Sequence, residues 1–180
     1  MSSRADIVGE LSADHRAVAE LLAQIETARR GGSDALAGLV EQLSDLLLSH
    51  CTGEEDILFP AVHEQVPDGG ALVFTSLADH LAIGQYVTDL QGLAPGDPAF
   101  GPLLDGLAAA AGTHLAEEDE RLFPAVREAL APALLSTLGE RLREARQEAA
   151  PATPRTPGAP EAQTPEGATP EAPTPEAPAG

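Results

Sequence analysis

Apolar residues recur at steps of three, four and seven along successive segments of the chain, the spacing of amphipathic helices. From Ser3 to Arg30, Val8, Leu11, Val18, Leu22 and Ile25 form one seam, and His15 fills the gap between Leu11 and Val18. Gly31-Gly32 is a helix stop, Ser33 is a cap for the next helix, and Asp34 adds acid to its first turn. The second helix is predicted to reach Val66, with Leu36, Leu39, Leu43, Leu47, Ile57 and Ala61 on the seam. His50 and Glu54 take its two missing steps. Pro60 removes a backbone donor, and because the pattern resumes at Ala61 and Val62 a kink is expected there rather than an end. Pro67-Asp68-Gly69-Gly70 reads as a turn. A third helix, Ala71 to Leu93, points Val73, Leu77, Val87 and Leu90 inward with His80 among them. Asp97 and Pro98 then read as the N-cap and first position of a fourth helix reaching Ala129, which carries Phe100, Leu104, Leu107, Ala111, His114 and Glu118 inward. A shorter helix from Pro132 to Glu148 has Leu135, Leu138 and Leu142 on one side and is expected to cover an end or flank.

Long helices joined by short connections pack as antiparallel neighbours, so the expected fold is all-α: an up-down-up-down four-helix bundle with a short fifth helix, over residues 1–148. Residues 149–180 have a different composition. Nine of the 16 prolines lie between Pro151 and Pro178, in Thr-Pro and Pro-Glu-Ala repeats without core-forming residues. This Pro/Ala/Thr/Glu-rich tail is expected to be disordered and solubilising, with phosphorylation of the Thr-Pro pairs as the alternative role.

One stretch is written twice. His50 to Glu64 recurs 64 residues later as His114 to Glu128, with Phe59-Pro60-Ala61-Val62 matching Phe123-Pro124-Ala125-Val126. Ala13-Asp14-His15 likewise matches Ala78-Asp79-His80. The midpoint of His15 and His50 falls within Gly31-Gly32-Ser33, and that of His80 and His114 within Pro95 to Pro98, so each pair is level across its own hairpin. A spacing of four residues places Glu54 and Glu118 only about 40° round and about 6 Å along from His50 and His114. Unpaired carboxylates in an apolar core are unfavourable by several kcal/mol each, a penalty that a bound cation removes. Four imidazoles and two carboxylates can hold two metal ions, and nitrogen and oxygen donors suit iron or manganese and tolerate zinc. The candidate metal ligands are His15, His50, Glu54, His80, His114 and Glu118.

A net charge of −19 repels phosphate backbones and anionic lipid, so no nucleic-acid partner is expected. No apolar run is long enough to span a membrane, and the N-terminus has no secretion-signal pattern. Cys51 is the single cysteine, which fits a reducing compartment; a cytoplasmic location is expected. The same cysteine adjoins His50 and is read as a small packing residue, a redox role being the alternative. His63 points away from the seam and is expected to be solvated. Tyr86 is placed either to pack between helices or to line the site. Glu55, Glu117, Asp119 and Glu120 are candidates to orient ligands from behind.

The pattern His15, His50-x-x-x-Glu54, His80, His114-x-x-x-Glu118, with Phe-Pro-Ala-Val after each motif, resembles the hemerythrin-like (HHE cation-binding) domains over about Ala5 to Leu130. The resemblance implies a non-haem di-iron centre with an oxo or hydroxo bridge and two bridging carboxylates, open to dioxygen or a related small molecule. His15 and His50 would then serve one iron, His80 and His114 the other, and Glu54 and Glu118 would bridge. Oxygen-carrying hemerythrins have a further histidine where this chain has Gly84, and an aspartate for which Asp119 is the alternative to Glu118. The Gly84 departure favours peroxide or oxygen chemistry, or iron and gas sensing, over reversible oxygen carriage. A plainer reading of Gly84 is that it permits close helix approach.

Three functions follow: a di-iron protein reacting with dioxygen, hydrogen peroxide or nitric oxide, its enzymatic version a catalase-like decomposition of peroxide; a non-enzymatic iron or oxygen sensor; and a metal-buffering or structural bundle. No protein partner is legible. Ferritin-like Glu-x-x-His and the peptidase string His-Glu-x-x-His are both absent.

Overall fold

The computed structural model describes residues 5–32 and 34–149, all of whose regular elements are helical. In chain order they are α1 (Ile7–Gly31), α2 (Leu36–Gly53), the π-helical turn π1 (Glu54–Leu58), α3 (Phe59–Gln65), α4 (Gly69–Leu90), α5 (Phe100–Glu117), the π-helical turn π2 (Glu118–Leu122), α6 (Phe123–Ala129) and α7 (Pro132–Ala149). The proposed tail and Ser33, expected as a cap, lie outside the described residues. No described helix is long and apolar enough to cross a membrane.

Local chemistry sets the boundaries. Asp6 caps α1 by accepting the Gly9 N–H at 2.8 Å, and Gly32 closes it in the left-handed region at φ 61°. Asp97 does not cap a helix beginning at Pro98. Its carboxylate accepts the Ala99 N–H at 2.9 Å, and α5 begins at Phe100. The third helix starts earlier and stops earlier than its periodicity indicated, at Gly69 and Leu90.

The kink expected at Pro60 takes another form. The helix widens over the preceding five residues, and the Phe59 N–H donates to the Glu54 carbonyl, five residues back. The second copy does the same, with the Phe123 N–H donating to the Glu118 carbonyl. A proline lacks the next N–H and crowds the carbonyl four residues before it, and a π turn relieves both constraints. The extra residue rotates the following segment by about 100°. Leu58, Phe59 and Val62 are buried as a result, while Pro60 is exposed.

The apolar interior consists of two clusters. One contains Ile7, Leu11, Leu58, Val62, Leu122, Val126 and the α7 leucines Leu135, Leu138 and Leu142. The other contains Val18, Ile25, Leu43, Leu47, Ile83, Val87, Leu104, Leu107 and Ala111. On α1, α2 and α5 the chain passes from one cluster to the other through histidine: Leu11–His15–Val18, Leu47–His50–Glu54–Ile57 and Ala111–His114–Glu118–Leu122. On α4, His80 lies between buried Ser76 and Ile83. Leu77, expected inside, is exposed; with Leu48, Phe74 and Leu81 it belongs to the apolar residues left on the surface, because Ser76 takes the buried step before His80.

α1 packs against α2, α4 against α5, α3 against α4, and α7 against α1, π1 and α2. The last helix, expected to be short and to cover an end or flank, has 18 residues and covers a flank. Its approach to α1 depends on Gly139: a Cβ there would lie 2.8 Å from Asp6 C and Ile7 N, both backbone atoms. We expect Gly139→Ala to lower stability by about 1–3 kcal/mol in thermal unfolding. Gly112→Ala, whose Cβ meets nothing within 4 Å, should instead raise it by about 0.5–1 kcal/mol. Equal responses at the two positions would refute the close approach.

Candidate metal centre

The four seam histidines and two glutamates meet in one layer, all of them buried. The imidazoles fall into two pairs, His15 with His50 at 5.1 Å between ring centroids and His80 with His114 at 4.7 Å. His50 and His114 link the pairs at 5.7 Å. The glutamates stand between them. One Glu118 oxygen is 3.2 Å from both His15 Nε2 and His50 Nε2, and its other oxygen is 3.6 Å from His114 Nε2. Glu54 Oε2 lies 3.3 Å from His80 Nε2, 3.5 Å from His50 Nε2 and 3.9 Å from His114 Nε2. Ligand atoms of His50, Glu54, His114 and Glu118 all lie within 4.8 Å of one another.

Every one of these imidazoles turns Nε2 to the centre and Nδ1 to a carboxylate. His15 faces Asp119 at 3.1 Å, His50 faces Asp14 at 3.3 Å, His80 faces Glu55 at 2.7 Å and His114 faces Asp79 at 3.9 Å. The arrangement follows the internal repeat. The acid before each lone histidine serves the histidine of the adjoining motif, and the acid after each glutamate serves a lone histidine. Phe59 and Phe123 complete it by stacking on His80 and His15, with centroids 5.5 and 5.1 Å apart. A carboxylate holding Nδ1–H leaves the Nε2 lone pair facing inward, which fixes the tautomer a metal needs.

Glu55 and Asp119 were anticipated among the acids behind the ligands; Glu117 and Glu120 do not act there. Glu117 faces Arg121 at 3.8 Å and Glu120 is exposed. Asp14 and Asp79 were missed, although the repeated Ala-Asp-His was their signal. Asp119 stands outside His15 with its side chain half exposed, whereas Glu118 occupies the interior. His63 is exposed. Tyr86 packs against Gly106 of α5, where a Cβ would lie 2.4 Å from its ring. Gly84 serves no close approach, since a Cβ there would meet nothing within 4 Å. Cys51 is buried, with its sulfur among the nitrogens of His80 and His114.

A family model described as hemerythrin HHE cation binding domain matches residues 6–126. The chain belongs to this family. Among curated proteins and solved structures, no significant match was found. The match spans all six candidate ligands and excludes α7, so Arg146 lies outside it. Arg146 donates to Asp14, which in turn faces His50. Among the described residues, no such arginine pairs with Asp79 in the other half of the HHE layer.

The cation of an HHE domain fits these residues. Both oxygens of Glu54, one of Glu118, and Nε2 of His80 and His114 are buried without a hydrogen-bond partner. The 3.3 Å approach of His80 Nε2 to Glu54 therefore lacks hydrogen-bond alignment: the donors converge on shared space rather than pairing. Orphaned polar atoms at this density are expensive unless a cation satisfies them.

The electrostatics agree. Burial, then the charge of Glu118, pushes the Glu54 carboxyl up to about 7. Burial also acts to raise Glu118, but hydrogen bonds from His15 and His50 hold it well below the usual carboxylate range. For His80, burial is outweighed by Cys51, Glu54 and Glu55, which raise it to about 10, while burial and the neighbouring histidines bring His114 down to about 4. Protons thus balance the carboxylates in the metal-free layer.

Glu54 favours the fold fully below its ordinary value of 4.5, and that contribution is lost as pH rises through about 7. Metal-free Glu54→Gln should therefore be more stable than the metal-free parent at pH 8, by about 3 kcal/mol, with the gap narrowing toward pH 5. Thermal unfolding of chelator-treated protein checks this; a less stable variant at pH 8 would contradict it.

Proposed function

We propose that this chain is a non-haem di-iron protein of the hemerythrin HHE family that binds or reacts with dioxygen, hydrogen peroxide or nitric oxide. Its ligands are His15, His50, Glu54, His80, His114 and Glu118, presented by helices in up-down-up-down order, in a cytoplasmic protein whose 149–180 segment is a separate tail. The single observation that carries the reading is the set of buried Glu54, Glu118, His80 and His114 atoms that have no partner within the protein. Two imidazole pairs with two carboxylates between them support two ions rather than one. Nitrogen and oxygen donors favour iron, with manganese and zinc the competitors.

Iron bound here supplies a redox-active Lewis acid for a small molecule. The chain's own residues supply the setting. Asp14, Glu55, Asp79 and Asp119 orient the rings, and the two apolar clusters keep bulk water from both sides of the layer. A groove of about 320 Å³ between α2 and α4, lined by Leu48, Leu77 and Leu81 and floored by Cys51 and His80, is an apolar approach suited to diatomic molecules. The absence of an imidazole at Gly84 supports reaction rather than reversible carriage, and peroxide decomposition is the enzymatic form of this proposal.

A second reading, an iron or oxygen sensor without turnover, is favoured by the link from Arg146 of α7 through Asp14 to His50. A bound cation would tighten Asp14 and Arg146 together and stabilise α7 by binding linkage.

Protein loaded anaerobically with iron should contain about two irons per chain, one for each imidazole pair, given the open N/O donor set. It should also turn over hydrogen peroxide. His114→Ala should lose turnover, and should weaken metal binding beyond the roughly 10–100-fold that loss of an outer partner causes. Iron-dependent thermal stabilisation without turnover would select the sensor. Zinc in the isolated protein, or no metal after loading, would overturn the di-iron reading.

A further inference from the structure

Cys51 lies one residue after His50 and faces the opposite half of the layer. Its sulfur and ring nitrogens of His80 and His114 all lie within 4.8 Å of one another, a separation that two donors at about 2.0–2.3 Å from a common ion span after slight closure. His80 Nε2 and His114 Nε2 are buried and have no hydrogen-bond partner, and both residues are more than nine-tenths buried. Their Nδ1 atoms face Glu55 and Asp79, so the free lone pairs can only point inward. The internal repeat provides a control: the position equivalent to Cys51 in the second copy is Leu115, so this slot is filled by a plain hydrocarbon where packing alone is required. Among the described residues, no sulfur stands on the His15–His50 side.

We propose that Cys51 is a metal ligand, giving a thiolate to the ion on the His80–His114 side of the centre. The inference rests on the metal reading above and adds an asymmetry to it. One ion has nitrogen and oxygen donors alone, and the other has nitrogen, oxygen and sulfur. Coordination exchanges the thiol proton for the metal: the sulfur lone pair forms the metal–sulfur bond and the proton leaves to solvent. A thiolate is a softer donor than carboxylate and favours borderline divalent ions, so zinc, cobalt(II) or iron(II) bind this half in preference to manganese or magnesium. The two halves should therefore fill unequally.

The test uses the full chain loaded with cobalt(II), with metal content measured on every sample. The parent should show a near-ultraviolet thiolate-to-cobalt charge-transfer band, and X-ray absorption should show one sulfur neighbour at about 2.3 Å. Cys51→Ser should lose the band and the sulfur neighbour. Cys51→Leu, which installs the side chain the second copy carries, should do the same and guards against a serine variant that fails to fold. Bound cobalt with no sulfur neighbour in the parent overturns the thiolate assignment and leaves the centre standing. A parent that binds neither cobalt, zinc nor iron overturns the centre itself.

Discussion

Two carboxylates and four imidazoles are held between two apolar clusters, where each group has lost water. That burial is the constraint on which the rest of the structure depends. The polar layer interrupts what would otherwise be one continuous core, and each long helix crosses it with a histidine at the interruption. A layer of this kind is unfavourable alone by several kcal/mol per unpaired group, and a cation bound among these ligands would remove that penalty.

The internal repeat turns one solution into two. Each half supplies a ring acceptor to the other: Asp119 and Phe123 of the second copy hold His15, and Glu55 and Phe59 of the first hold His80. Neither half is complete without its partner. Departures from this symmetry are few and sit close to the centre. Arg146 backs Asp14 but has no counterpart behind Asp79 among the described residues, and Cys51 stands where the other half has Leu115. Unequal halves follow from one extra helix and one substituted side chain.

The π turns connect backbone to chemistry. Glu54 and Glu118 each begin a widened turn whose carbonyl receives a bond from five residues ahead. A regular helix through these positions would keep the following phenylalanines off the seam. The extra residue instead brings Phe59 and Phe123 to the rings they stack on. Proline in the next position makes the wide turn favourable by having no N–H to lose.

The helices, their seams and the six inward polar residues were legible from periodicity, because a side chain's face on a helix depends only on its spacing. The level of the four histidines was legible too, since turn positions set the height of residues in neighbouring helices. Other features depend on contacts between distant segments and left only faint traces. Leu77 has the spacing of a core residue yet is exposed, because Ser76 takes the buried step before His80. Asp14 and Asp79 read as ordinary helix-surface acids, and only the packing of neighbouring helices shows which ring each one faces. Arg146 reaches Asp14 across 132 residues of sequence, a pairing that no local pattern encodes. Periodicity determined which residues turn inward, whereas the tertiary structure decided which of them touch, because orientation on a helix is local and contact across helices is not.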